Sequence, residues 1–202
     1  MKIFAANHMS TDCLSKDFLF THFSEWASKQ RKINTEIKAA CFDFDSRYLT
    51  KLIELYCGYE YQQINDYLRY QKDLDHHEYR EKAHLLTLIV YNAPRIQQDF
   101  VVFRSVCPEF IQTLSSDKAA YERGFMSTTC DLHYATNYCE EHSVLKIYVP
   151  RETPCIYTDI IKDRDESELL FPPNAGLQLI TQPYKIPHTK KKMYECKMFY
   201  YK

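Results

Sequence analysis

The sequence predicts an α+β fold, with helices gathered in the first half of the chain and strands in the second. Three observations carry this reading. Apolar residues recur at spacings of three and four up to about residue 94. From residue 100 the chain turns to short runs rich in β-branched and aromatic residues. The strands do not alternate singly with helices, which argues against a doubly wound parallel sheet.

The helical elements come first. Phe18, Leu19, Phe23, Trp26 and Ala27 form one helical stripe, and Leu49, Leu52, Ile53 and Tyr56 form another. YQQINDYLRY (61–70) puts Tyr61, Ile64, Tyr67 and Leu68 on one face, and HLLTLIVYNAP (84–94) reads as a helix stopped before Pro94. The strand candidates are FVVFRSV (100–106), FMSTT (125–129), VLKIYV (144–149), CIYTDI (155–160), ELLF (168–171), LQLITQPYKI (177–186) and MYECKMFYY (193–201). A short helix, LHYATNYCEE (132–141), separates the second from the third. No repeat or linker divides the chain, so one globule is expected, with residues 1–45 as a helical addition and 46–202 as the main domain.

Bulk properties exclude several classes. A net charge of −1 gives no basic field for nucleic acid. No apolar run reaches the roughly 18 residues of a membrane span. The segment MKIFAANHMSTDCLSK has no long apolar stretch of the secretory kind, and the eight cysteines contain no CxxC pair. Reduced thiols in a cytosol-like compartment are therefore expected, a pattern that a protein delivered into a host cytosol would share. The three glycines, at 58, 124 and 176, are expected where the backbone demands them.

Taken singly, the polar clusters are ambiguous. Arg104 in FVVFRSV is either an edge-strand arginine or a guanidinium fork lining a cleft. The hydroxyls of GFMSTT (124–129) are ordinary strand residues or supports for a carboxylate. Cys130, His133, Cys139 and His142 have pairs only five residues apart within a helical stretch, so soft helix residues are expected rather than a metal site. Lys190, Lys191 and Lys192 read as a solvated turn. In RDESELLFPP (164–173), Glu166 and Glu168 would share one face of a strand, either as a charged strand end or as a working pair. With three isolated glycines, no GxSxG, GxGxxG or Walker loop exists.

Their order removes the ambiguity. INDYLR (64–69), FRS (103–105), STT (127–129) and ESE (166–168) leading into LLFPPNAGLQL occur in the sequence of motifs typical of the R-S-E class of ADP-ribosyltransferases. The chain resembles that family, which includes clostridial binary-toxin components and Rho-modifying exoenzymes, over roughly residues 50 to 202. PRETPCIY (150–157) resembles the family's strand end ahead of the glutamate-bearing turn.

The resemblance implies helices packed on two antiparallel-rich sheets around a central NAD cleft. It implies NAD as the substrate, no metal, nicotinamide release, and transfer of ADP-ribose to an unidentified protein acceptor. Glu168 would be the catalytic glutamate, Glu166 would deal with the acceptor nucleophile, and Ser127 would hold Glu168. Asn65, Arg69, Arg104, Ser105, Thr128 and Tyr138 would contact NAD or shape its site, and Thr129 would support the Ser127 strand. Glu at position 166 resembles the arginine-directed subgroup. Ser105 stands where the family usually has glycine, and the DIIKDRD loop (159–165) lacks the aromatic that many members use on their targets. The alternatives are an NAD glycohydrolase, with water as acceptor, and a catalytically weak binding module that keeps the fold.

Overall fold

The computed structural model describes residues 12–40, 48–70, 77–115, 118–161 and 165–200. Residues 1–11 and 41–45 of the expected N-terminal addition, 46–47 at the start of the expected main domain, and 162–164 of the loop before the glutamates lie outside the described residues.

Helix α1 spans Lys16–Ala40. Ser15 starts it, its Oγ accepting from the Phe18 N–H at 3.1 Å, and Asp17 adds a carboxylate to the first turn. Leu19, Phe23, Trp26 and Ala27 are buried, as their spacing predicts, whereas Phe18 of the same expected stripe is exposed. Helix α2 (Tyr48–Leu55) runs through one π-helical turn (Tyr56–Glu60) into α3 (Tyr61–Tyr70) without a break. Helix α4 (His77–Asn92) begins about two turns earlier than the apolar pattern suggests and stops just ahead of Pro94. Arg95 caps its end, donating to the carbonyls of Val90 and Tyr91.

The strands are β1 (Phe100–Val106), β2 (Ala120–Glu122), β3 (Met126–Thr129), β4 (Ser143–Val149), β5 (Ile156–Tyr157), β6 (Glu168–Phe171), β7 (Ala175–Leu179), β8 (Tyr184–Lys185) and β9 (Lys192–Phe199). Among the described residues they form one sheet in the order β2-β7-β9-β4-β1-β3-β6-β5, with β8 paired to β9. All pairs are antiparallel except β4 with β9. Two antiparallel-rich sheets are expected from the sequence, and they are recognisable within this path. The group β2-β7-β9-β4-β1 meets the group β3-β6-β5 through a single residue pair, Phe103 with Thr129. Short helices α5 (Pro108–Ile111) and α6 (Leu132–Asn137) complete the described elements.

Side-chain alternation along β1 separates two cores. Phe100, Val102 and Val106 join the large core beneath the helices. Val101 and Phe103 join a smaller cluster with Ala135, Val144, Tyr148, Ile186 and Met193 on the opposite face. Arg104 therefore shares a face with Val102 and Val106, toward the helices.

Several expectations are corrected locally. CIYTDI is a strand only at Ile156 and Tyr157; Thr158–Ile160 closes into a 3-10 turn. LQLITQPYKI divides into β7 and β8, and the 132–141 helix ends at Asn137. Lys191 is buried and donates to the Cys139 carbonyl, so the basic run is not wholly a solvated turn. None of the glycines has a positive φ. What two of them supply is room: a Cβ on Gly124 would lie 2.7 Å from Asn65 Oδ1, and one on Gly176 would lie 2.5 Å from the Phe199 ring.

Candidate active site

A cavity of about 420 Å³ opens where α3, the π-helical turn, β1, β3, α6 and the start of β6 converge. Asn65, Arg69, Arg104, Ser105, Ser127, Thr128, Tyr138, Glu166 and Glu168 all line it, so the structure gathers every site residue named from the sequence into one place. Tyr56, Cys57 and Gly58 also line it, from the π-helical turn, a feature often found at functional sites.

The glutamate pair is set by backbone geometry rather than by a plain strand. Ser167, between the two glutamates, has φ 49°, a left-handed conformation that L residues adopt at a cost. Glu166 thus lies in a turn and Glu168 begins β6, so their side chains do not stack as consecutive same-face strand residues. Asp159, presented by the 3-10 turn, holds this arrangement. Its carboxylate accepts from the N–H of Glu166 at 3.0 Å, of Ser167 at 2.6 Å and of Glu168 at 3.5 Å. From the other side Thr129 Oγ1 donates to the Glu166 carbonyl at 2.7 Å, and Thr128 Oγ1 donates to the Leu169 carbonyl at 2.9 Å. The two threonines of STT therefore clamp the strand that carries the glutamates.

Glu168 is 8% exposed, and a carboxylate that deep must be hydrogen-bonded. Thr158 Oγ1 donates to its Oε2 at 2.6 Å, and the Cys57 thiol approaches the same oxygen at 3.7 Å. Thr158 thus supplies a hydroxyl to Glu168, the role expected of Ser127, while Ser127 lies near enough to the Tyr56 hydroxyl to favour its ionised form slightly. Asn65 Nδ2 donates to the same tyrosine oxygen at 2.9 Å, and its Oδ1 accepts from the Phe125 N–H at 2.8 Å. Burial above all holds the Tyr56 hydroxyl well above its usual range, so it stays protonated and neutral. Glu166 is half-buried, with the Tyr134 hydroxyl beside it. Burial, then the charge and hydrogen bond of Glu166, push the Tyr134 hydroxyl up to about 12. Tyr138 stands at the mouth, 65% exposed, with its ring 6.3 Å from that of Tyr134.

The cationic side is equally built. Arg69 Nε and Nη2 donate to the two oxygens of Glu122 at 2.9 and 3.0 Å, and Arg104 Nη2 donates to Oε2 at 3.0 Å. Arg104 Nη1 is buried with no partner among the described residues. Ser105 Oγ lies 3.1 Å from His142 Nδ1. Among the described residues no three His, Cys, Asp or Glu side chains converge as a metal site would require, and Cys130, His133, Cys139 and His142 form no such group.

Sequence reasoning missed Thr158, Asp159, Tyr56, Tyr134 and Glu122. Glu122 gave the plainest signal, an acid two residues ahead of Gly124 in a short apolar stretch.

A cleft at the junction of two antiparallel-rich strand groups, roofed by helices, is the architecture of ADP-ribosylating toxins. Plx2a, an ADP-ribosyltransferase toxin of Paenibacillus larvae, superposes with a TM-score of 0.65 at 14% identity, over 87% of this chain and 96% of its own. The C3 exoenzyme of Clostridium limosum superposes at 0.65 and 14% identity, over 94% of this chain and 98% of its own. BECa of a C. perfringens binary enterotoxin, solved with NADH, superposes at 0.68 and 13% identity, over 91% of this chain but 47% of BECa. No curated protein matches the chain in sequence. The family model for ADP-ribosyltransferase exoenzymes matches residues 23–195, and the chain belongs to that family.

Proposed function

We propose that the protein is a mono-ADP-ribosyltransferase that takes ADP-ribose from NAD and attaches it to an arginine side chain of a protein. The observation that carries this is the turn at Ser167, which sets a buried carboxylate, Glu168, and a more accessible one, Glu166, at the edge of one cavity.

The residues present fit NAD. The cavity lies within the roughly 300–1,000 Å³ usual for ligand sites. Two guanidiniums line it, one with a buried N–H group left without a partner, as an anionic pyrophosphate needs. BECa was solved with NADH and exoenzyme S of Pseudomonas aeruginosa with carba-NAD, both on this fold.

NAD supplies a glycosidic bond to a pyridinium nitrogen, and its rupture releases neutral nicotinamide and leaves the positive charge on the ribose. Glu168, held by Thr158, is the fixed negative charge placed to stabilise it. Glu166 accepts the acceptor's proton and orients the acceptor, with Tyr134 fixing its direction. Asn65, bonded to Tyr56 and to the Phe125 N–H just ahead of the Ser127 strand, ties α3 to β3 and so keeps the two sides of the cavity in register. Tyr138, exposed at the mouth, packs on the nicotinamide. The arginine assignment rests on Glu at position 166, and it draws support from the ADP-ribosyltransferase Vis, solved with agmatine, a guanidinium compound.

The test measures NAD hydrolysis and labelling of an arginine acceptor such as agmatine. Glu168→Gln is expected to lower both by at least about a hundredfold. Glu166→Gln is expected to abolish labelling while hydrolysis persists. Hydrolysis and labelling both unchanged in Glu168→Gln would sink the catalytic reading.

A further inference from the structure

Glu122 is the buried charge that this reading leaves without a role. It is 4% exposed, sits on the three-residue strand β2, and does not line the cavity. Both arginines bonded to it do line the cavity. All the anionic capacity of Glu122 is engaged: Oε1 by Arg69 Nε and the Gly124 N–H at 3.0 Å, Oε2 by Arg69 Nη2 and Arg104 Nη2.

We propose that Glu122 is a positioning residue for substrate binding: one carboxylate set behind Arg69 of α3 and Arg104 of β1 locks both guanidiniums into a preformed anion clamp. Two such cations side by side repel each other, and in a poorly solvated wall that repulsion is strong. A single shared counter-anion cancels it and fixes both planes. Because Arg69 meets Glu122 through its Nε edge, its rotation is set as well as its place. Arg104 spends one nitrogen on Glu122 and keeps Nη1 buried and unpaired. An unpaired buried donor of a charged group is costly in the empty protein, and an anionic oxygen on that face relieves the cost.

Burial alone would raise the Glu122 carboxyl, but the two arginines and the Gly124 N–H outweigh it and hold it below its ordinary value. It therefore stays charged at neutral pH. The alternative, that Glu122 blocks the arginines in place of substrate, conflicts with its position outside the cavity lining.

The inference rests on NAD being the substrate, and the experiment separates the two. Wild type, Glu122→Gln and Glu122→Asp are compared for KM and kcat in NAD hydrolysis, with thermal melting as the check on folding. Glu122→Gln keeps the shape but loses the charge, and is expected to raise KM for NAD at least about tenfold while kcat changes less than about threefold. Glu122→Asp, which restores the charge, is expected to recover part of that loss. Should Glu122→Gln not fold, the Asp variant carries the test through the same KM shift in smaller measure. A folded Glu122→Gln protein with KM within about twofold of wild type overturns the proposal. A fall confined to kcat overturns it too, because a clamp acts on binding. A wild-type protein inert toward NAD overturns the substrate assignment itself, and the clamp falls with it.

Discussion

Thr158 shows how much a single buried hydroxyl can carry. It has no solvent exposure and gives its proton to Glu168 Oε2 at 2.6 Å, so it is the fixed donor that defines the carboxylate's orientation. Replacement by valine keeps the volume and removes only the donor. A hydrogen bond to a charged group contributes about 1.5–3 kcal/mol. Thr158→Val is therefore expected to lower kcat/KM for NAD cleavage by roughly ten- to hundredfold. The melting temperature should move little, which separates this effect from unfolding. The Thr158 role was not legible in the sequence, where CIYTDI reads as an unbroken strand pointing Thr158 along a ladder. The strand breaks because Asp159 engages three successive N–H groups of the glutamate turn, a contact seven to nine residues away that no local periodicity records. STT was legible because short motifs in fixed order need only chain position. Their partners were not, since Thr128 and Thr129 bond to carbonyls about forty residues later.

At the scale of elements, the cavity exists because α3 packs against the start of β3 at unusually close range. Gly124 makes this possible. A Cβ there would lie 2.7 Å from Asn65 Oδ1 and 2.9 Å from its Cγ, and Asn65 is committed to both Tyr56 and the Phe125 N–H. Gly124→Ala must push α3 outward or break one of these bonds. The expected cost is about 1–3 kcal/mol, the usual penalty for overpacking, read as a lower midpoint in urea unfolding. Activity should fall as well, because Arg69 rides on the displaced helix. Long periodic helices and strands were readable from apolar spacing, which local physics dictates. β2 was not: three residues carry no periodicity, and Glu122 is buried only because Arg69 and Arg104 arrive from 53 and 18 positions away. The π-helical turn was likewise hidden, since its sequence YCGYE continues a helical pattern on either side.

At the scale of the whole molecule, the question is whether the N-terminal helix is an accessory or a structural part. The sequence separates residues 1–45 only because the motifs begin after them. In the structure, Leu14, Leu19, Phe23, Trp26 and Ala27 are buried in the same core as Phe100, Val102 and Phe171. The backbone joins too, with the Val101 N–H donating to the Asp12 carbonyl at 3.2 Å and Cys13 bridging to Val101 beside β1. Helix α1 also packs on β5 and on the turn that presents Thr158 and Asp159, and Lys16 pairs with Asp165 next to the glutamates. The Lys16 pair is exposed and contributes little. The apolar contacts decide the matter. Burying a large side chain contributes about 1.5–3 kcal/mol, so Leu14, Leu19, Phe23 and Trp26 together contribute on the order of ten, comparable with the whole stability of a domain. A chain beginning at residue 46 is therefore expected not to fold. It should lack a cooperative thermal transition, bind an apolar dye such as ANS, and show no NAD turnover. A truncated chain that melts cooperatively and cleaves NAD would make residues 1–45 a separable addition after all.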